Sequence, residues 1–470
     1  MILKELKLSL TPAELYSKIS AHYNYSFLLE SAKGPKRFAQ HSFLGFNPIM
    51  RIALKGRKLK IEENDGEKEI ICAEATPKLR DIIRKYRIKE NKFKYTGGLV
   101  GYFSYDFIRA LEKIPCLHRN ELDFPDFELG LFLDGIIYEH LRKRIFYFSH
   151  QKDNSAEILS LLARSYNEQG QFKVTKLKLR NIDLNVKSRP KNFLLRRSLT
   201  PNIEKDDFES SVELAKDYIY KGRILQVVLS RRLEGCYTGD LFDFYNSLKT
   251  LNPSPYMYYL SFGKRKLIGT SPEMLVALRG NTIETYPIAG TRPMGKSKEE
   301  TEFYRKELLA SEKERAEHNM LVDLARNDVG KVAEIGSVKL EECMKVEKYS
   351  HVQHIVSKVV GKLNKDKDAF DVFNALFPAG TVTGAPKIEA MKIIESLEPC
   401  RRGPYAGAVG YFSLNGNEDF AIAIRTLFAN KNKLYLQAGA GIVADSIPEN
   451  EFYETEHKLG ALVKALGVER

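Results

Sequence analysis

Tryptophan is absent from this chain of 470 residues, and cysteine is scarce: Cys72, Cys116, Cys236, Cys343 and Cys400 are scattered, odd in number and in no Cys-x-x-Cys pair. Such a set argues against a disulfide framework and against a structural zinc site, leaving reduced thiols. No apolar run approaches the about 20 residues of a membrane span. The opening residues Met-Ile-Leu-Lys-Glu-Leu-Lys lack the apolar stretch of a secretory signal, so the expected location is the cytoplasm, with no membrane partner. Helix-turn-helix, RNP and zinc-finger patterns are missing as well, although the net charge is +13 at pH 7. The basic residues are spread along the chain and interleaved with acids, with only modest clusters at 55–60 and 142–144. That describes a lysine-rich solvated surface with no nucleic-acid partner, and some attraction for an acidic substrate.

What is present is organised around residues 437–466, which read as a short strand, a Gly439-Ala440-Gly441 crossing and a helix. Ser446 with Glu449 has the spacing of a capping box and Pro448 suits a first turn, so the helix is expected from about residue 447. Phe452, Leu459, Leu462, Val463 and Leu466 form its apolar stripe, while Glu451, Glu454 and Lys458 share another face. Two readings of that polar face are open. It is either a solvated surface with a Glu454–Lys458 pair worth about 0.3–0.5 kcal/mol, or one wall of a site where bare glycine backbone approaches an anion held partly through a metal. The second reading needs another acid-bearing helix. Residues 311–327 supply it, with Ser311 and Glu314 as a capping box and Glu317 aligned with Met320, Leu321 and Leu324. An acid on an apolar face sits at the stripe's wet edge or, if buried, is paired, protonated or metal-bound.

The first 185 residues are expected to be mostly sheet. Strands over 51–61 and 67–72 flank an Asn64-Asp65-Gly66 turn, and 131–138 and 144–148 form another pair. A helix over 154–168 and a basic, weakly patterned stretch over 170–200 follow, which divides the chain into parts 1–185 and 186–470. The second part opens with a helix over 206–220, stopped by Gly222, and a strand over 224–230. Residues 377–387 form a glycine- and hydroxyl-rich loop opening a helix, either an anion site or a plain cap. Residues 407–414 and 419–427 form a hairpin over Asn415-Gly416, with Ala421, Ala423 and Arg425 on one face, so that a guanidinium projects from a small-residue surface. Gly98-Leu-Val-Gly-Tyr-Phe-Ser104 echoes Gly407-Ala-Val-Gly-Tyr-Phe-Ser413.

Four runs, Pro287-Ile-Ala-Gly-Thr-Arg-Pro293, Glu317 to Asp328, Gly380-Thr-Val-Thr-Gly-Ala-Pro-Lys387 and Gln437 to Gly441, resemble in kind and order the chorismate-utilising enzymes, and among them component I of anthranilate synthase. The resemblance is dense in the C-terminal half and thinner before it. It implies an α+β fold with two large facing antiparallel sheets flanked by helices and a cleft between them. It implies Mg²⁺ on Glu317 and Glu454, with Glu451 supporting through water, and this suits an ion that prefers a few hard oxygens. The side-chain carboxylate of chorismate would lie on Tyr411, Arg425, Lys458 and the backbone of Gly439, Ala440 and Gly441, with Thr291 and Thr381 in the same pocket. Glu273 would protonate the departing C4 hydroxyl and His354 would assist the loss of pyruvate. Gln226 stands where isochorismate-forming relatives carry a water-activating lysine, and Ala289 where many aminodeoxychorismate synthases carry a nucleophilic lysine. Ammonia therefore remains as the nucleophile, and anthranilate and pyruvate as the products. Leu29-Glu30-Ser31 and Asn252-Pro253-Ser254-Pro255-Tyr256-Met257 resemble the two pieces of the family's tryptophan feedback site, with Glu30 set to pair with the inhibitor's ammonium. The alternatives are an aminodeoxychorismate synthase lacking that lysine, and a basic nucleic-acid-binding protein that kept the scaffold without the chemistry.

None of the five cysteines lies in a Gly-x-Cys-x-Gly amidotransferase motif, so a separate glutamine amidotransferase subunit is implied as partner. Purified alone, the chain should convert chorismate with ammonium salts and not with glutamine. Glutamine-dependent product from the chain free of contaminating glutaminase contradicts that expectation.

Overall fold

The computed structural model describes the chain except residues 32–39, 64–65, 73, 90–91, 167–171, 175–192, 197, 349–351 and 469–470. Alternating apolar residues build two large antiparallel sheets, and helices cover their outer faces. Among the described residues the first sheet has 13 strands. Its central run passes from His41–Phe46 through Tyr25–Glu30, Tyr256–Phe262, Arg265–Ser271, Thr426–Asn430 and Lys433–Ile442 to Gln226–Thr238. The second has 12, with Ile288–Pro293, Val352–Lys362, Thr282–Thr285, Met274–Arg279, Glu418–Ile422, Ala408–Ser413 and Gly98–Phe103 side by side.

Both sheets draw strands from either side of residue 185. Tyr25–Glu30 pairs with Tyr256–Phe262 in one, and Gly98–Phe103 pairs with Ala408–Ser413 in the other. Parts 1–185 and 186–470 are thus interleaved in one core rather than separate bodies, and the junction itself falls outside the described residues. The two echoing sequences are direct neighbours, with Gly101 opposite Gly410. A Cβ on Gly410 would lie 2.1 Å from the Asp419 carbonyl oxygen, so only glycine admits this approach.

The core between the sheets is aromatic. Phe43 of the first sheet meets Tyr411 of the second at 6.0 Å, and Tyr95 meets Tyr411 at 4.9 Å. On the other side of the second sheet Phe412 packs on Phe370 of helix Ala369–Leu376 at 4.2 Å. Outside the first sheet, helices Pro12–Ser20, Leu241–Leu251 and Pro448–Ala465 share a cluster in which Leu459, Leu462, Val463 and Leu466 are buried.

Several expected elements are corrected. The 51–61 strand is two strands, Met50–Lys55 and Lys58–Glu63, because the chain turns at Gly56 with φ 61°. Residues 131–138 change sheets, ending Phe127–Phe132 and beginning Asp134–Glu139. The helix placed at 154–168 is Ser155–Ala163. Asn64-Asp65 and most of the 170–200 stretch lie outside the described residues. Helix Pro448–Ala465 is present, but its N-cap is Ile447 and has no side-chain cap. The Ser446 hydroxyl accepts from the Val443 N–H at 3.0 Å, and Glu449 pairs with Lys205 at 2.8 Å, so neither is left to close a capping box. On Glu312–Gly330, Ser311 does cap the Glu314 N–H, while the Glu314 carboxylate turns to Arg292 at 2.9 Å.

Candidate active site

Two places where the chain passes from one sheet to the other make the site. After Arg265–Ser271 it crosses through Pro272 and Glu273 into Met274–Arg279. After Glu418–Ile422 it crosses back through Ala423, Ile424 and Arg425 into Thr426–Asn430, so the expected single strand over 419–427 is broken. The two crossings hold each other. The Ile422 N–H donates to the Glu273 carbonyl at 3.1 Å, and the Thr270 N–H donates to the Arg425 carbonyl at 3.1 Å. Arg425 has φ 52°, a left-handed backbone that a long side chain rarely adopts and that clusters at functional sites.

Beside the crossings lies a cleft of about 900 Å³ that gathers Gln226, Glu273, Thr291, Glu317, His354, Thr381, Arg425, Gly439, Gly441, Glu451, Glu454 and Lys458. Helix Pro448–Ala465 lines it with Glu451, Glu454, Lys458 and Ala461, which recur at helical spacing. The Lys458 ammonium donates to the Gly439 carbonyl at 2.8 Å and to Glu454 at 2.5 Å. The Lys458 carbonyl in turn accepts from the Arg425 guanidinium at 2.5 Å. Two cations are thereby fixed together on one wall, where an anion's carboxylate gains most.

The acids facing them are held in different states. Burial pushes the Glu273 carboxyl up to about 8, with the Thr381 hydroxyl, the Lys458 charge and the Ile288 N–H pulling the other way. At neutral pH it carries a proton. Burial also raises Glu317, against a hydrogen bond from the Gln226 amide at 2.7 Å and with Glu314 and Glu454 adding repulsion. Burial raises Glu451, while the Ser446 hydroxyl opposes the shift and Glu454 adds to it. His354 is lowered to about 4 by burial, with Arg425 and Lys458 adding to the effect. Its neutral ring has Nδ1 3.0 Å from the Gly290 carbonyl and 3.1 Å from the Thr291 hydroxyl, and the carbonyl requires Nδ1 to be the protonated nitrogen.

The donor set fits Mg²⁺ chemically. Glu317, Glu451 and Glu454 offer hard oxygens on one cleft, and the Glu454 charge opposes ionisation of the other two without a cation between them. The cradle opposite them is bare: a Cβ on Gly441 would lie 2.8 Å from the Gln226 amide nitrogen and 3.8 Å from a Glu317 oxygen. Among the described residues no three His, Cys, Asp or Glu side chains gather as a complete protein cage, and an ion that keeps waters and substrate oxygens needs none.

One expected side-chain contact is not made. Tyr411 is buried in the aromatic layer between the sheets, away from the cleft. Tyr405 lines the cleft instead, with the Arg402 guanidinium 5.6 Å from its ring centre. Ala440 turns its methyl to the far side of its strand, among Phe208, Val212 and Ile394. The 377–387 loop caps nothing, since the Thr383 hydroxyl donates to the Ala379 carbonyl at 2.9 Å and helix Lys387–Leu397 starts without a side-chain cap.

The two segments expected to hold tryptophan are brought together. Met257 is paired with Glu30 and Tyr258 with Leu29, and the Ser31 hydroxyl donates to the Pro255 carbonyl at 2.8 Å. Asn252, Pro253 and Ser254 line the active cleft itself, which the sequence did not disclose, and the Tyr256 hydroxyl reaches Asp419 at 2.9 Å. Glu30 already receives the Tyr245 hydroxyl at 2.6 Å and the Lys249 ammonium at 2.7 Å.

Residues 24–464 match the chorismate binding enzyme family, and the chain belongs to it. It is 44% identical over 455 residues to anthranilate synthase component 1 of Methanothermobacter marburgensis, covering 97% of this chain and 92% of that protein. It is also 38% identical to aminodeoxychorismate synthase component 1 of Bacillus subtilis, covering 96% and 93%. The crystal structure of anthranilate synthase component I from Streptococcus pneumoniae superposes with a TM-score of 0.78 at 34% identity, covering 92% and 93%.

A protonated Glu273 has a spectroscopic and a thermodynamic consequence. The infrared difference between wild type and Glu273→Gln should show a neutral-carboxyl stretch near neutral pH that fades as the pH rises through about 8. Between the ordinary 4.5 and about 8 the native state holds a proton that the unfolded chain has released, so stability falls with rising pH in that window. Glu273→Gln should lose that part of the slope. A stretch already absent at neutral pH contradicts the assignment.

Proposed function

We propose that this chain is the chorismate-converting component of an anthranilate synthase, joining ammonia to chorismate and releasing pyruvate. The observation that carries the reading is the neutral Glu273 acid set across one cleft from the Arg425–Lys458 cation pair. The cations suit the enolpyruvyl carboxylate, and Tyr405 and the Gly439 and Gly441 backbone border the same place. Mg²⁺, held by Glu317 and Glu454 with Glu451 through water, would neutralise the ring carboxylate and draw electron density from the ring.

With chorismate so oriented, ammonia forms the bond to C2 while the ring double bonds shift and the C4–oxygen bond breaks. Glu273 gives its proton to the departing hydroxyl, which leaves as water, a step of a kind worth roughly 10²–10⁴-fold. After the new C2 ammonium gives up its extra proton, the neutral His354 ring can accept the C2 proton as the C3–oxygen bond breaks and return it to the methylene carbon of the departing enolpyruvate, which leaves as pyruvate while the ring becomes aromatic. Gln226 and Ala289 line the cleft at the two places where a lysine would favour an activated water or an enzyme amine, which disfavours both beside ammonia. Ammonia would come from a glutamine amidotransferase subunit, in keeping with the component 1 naming of the relatives. Tryptophan would act between residues 29–31 and 252–257, a reading supported by the Met257–Glu30 pairing. Because Lys249 already neutralises Glu30, a bound ammonium must share or displace it.

The test is product formation from chorismate, ammonium and Mg²⁺, read by anthranilate fluorescence and pyruvate release, with and without millimolar tryptophan. Wild type should make both products and slow with tryptophan. Glu317→Gln and Glu454→Gln should fold and lose at least about a hundredfold in rate, on the order of 2.7 kcal/mol. An aminated product without pyruvate would make the chain an aminodeoxychorismate synthase. Near-normal turnover by either variant would remove the metal assignment.

A further inference from the structure

Thr270 ends the Arg265–Ser271 strand one residue before its last position and is fully buried. It lies in a row across three neighbouring strands, with Glu30 opposite Met257 and Met257 opposite Thr270. On its far side its N–H donates to the carbonyl of Arg425, and its hydroxyl donates to the carbonyl of Asn252. Asn252 and Arg425 both line the cleft, and no sequence motif connects them. A threonine hydroxyl near a strand end often closes a local turn. This one reaches 18 residues back in the chain to the residue that terminates helix Leu241–Leu251.

The bonds around Arg425 show why such a tie matters. Its left-handed backbone follows Ile424, whose N–H turns back to the Ile422 carbonyl at 2.8 Å, and precedes Thr426, whose hydroxyl donates to the Ile424 carbonyl at 2.7 Å. Those bonds keep the crossing bent, but they stay within residues 422–426. The Arg425 carbonyl is fixed relative to the rest of the cleft through Thr270. The turn after helix Leu241–Leu251 is likewise held at its far end, by Ser31 on the Pro255 carbonyl and by the Tyr256 hydroxyl on Asp419. Its near end, Asn252, is held by the Thr270 hydroxyl.

We propose that Thr270 is a positioning residue for the substrate's carboxylate anchor, setting Arg425 against the Asn252–Ser254 wall through one hydrogen bond to each. The proposal rests on the chorismate reading of the cleft. It also gives that reading a route for regulation, since a ligand wedged between residues 29–31 and 252–257 would pull on the turn that Thr270 connects to Arg425.

The test compares Thr270→Val, which keeps the shape and removes the hydroxyl, with Thr270→Ser, which restores it. Steady-state rates with ammonium and Mg²⁺ give KM for chorismate and kcat separately. Freeing the turn should loosen the anchor for bound substrate and transition state alike, so in Thr270→Val KM should rise about tenfold with kcat within about twofold. Thr270→Ser should return KM to within about twofold of wild type. A merely structural threonine would instead lower thermal stability with KM unchanged, and that result, or a serine variant no better than valine, overturns the proposal. If Thr270→Val accumulates unfolded, Thr270→Ala, which also removes the hydroxyl, carries the same comparison. Wild-type turnover reads the underlying reaction separately from the variant ratio, and a wild type inert toward chorismate overturns both.

Discussion

Two adjacent passages of the chain between its sheets carry the constraint on which the site depends. Glu273 sits in one and Arg425 in the other, and two main-chain hydrogen bonds, Ile422 to Glu273 and Thr270 to Arg425, prevent either from moving alone. At a crossing the backbone leaves the ladder, and the side chain points into the gap between layers. The cost is a left-handed arginine, of order 1–3 kcal/mol for a backbone held in a sparsely populated region.

Around that constraint the electrostatics divide into two walls. Arg425 and Lys458 stand together, linked through the Lys458 carbonyl and the Gly439 carbonyl. Across from them, burial keeps Glu273 protonated while Glu317 is steadied by the Gln226 amide. The same burial that makes a carboxyl a proton donor makes neighbouring carboxylates poor company for one another unless a cation joins them. His354, neutral between two positive groups, is the complementary case. One cleft therefore gathers a protonated carboxyl, a neutral imidazole and a pair of cations near neutral pH.

Much of this was legible. Spacing raised the Gly439–Gly441 run before an acid-bearing helix, and Glu317 on the apolar face of another, as one of two open readings, and the family resemblance selected it. The resemblance also singled out Glu273, His354, Gln226, Thr291, Thr381, Arg425 and Lys458, all of which line the cleft. Where a strand leaves its sheet was not legible. Periodicity in 419–427 stays regular through Ile424, and a non-glycine at φ 52° has no local signature. Tyr411 came from the family resemblance, but its strand is buried on both faces and its ring belongs to the aromatic layer, while Tyr405 lines the cleft. A clue was available, since Tyr405 follows Gly403-Pro404, a turn that can carry a side chain out of the sheet. The Ser446–Glu449 spacing was genuine, yet a carboxylate engaged by a distant lysine cannot also cap, and long-range ion pairs are invisible to a window of four residues.

The most direct measurement is chorismate kcat/KM for Arg425→Gly. Glycine takes the left-handed conformation without strain, so the crossing keeps its shape and the variant should fold. The guanidinium side chain is removed, and with it the hydrogen bond to the Lys458 carbonyl. If the crossing exists to present that group to a substrate carboxylate, kcat/KM falls at least about thirtyfold, the lower end for losing one partner of a buried charge pair. A folded Arg425→Gly enzyme with kcat/KM within about twofold of wild type would contradict the account.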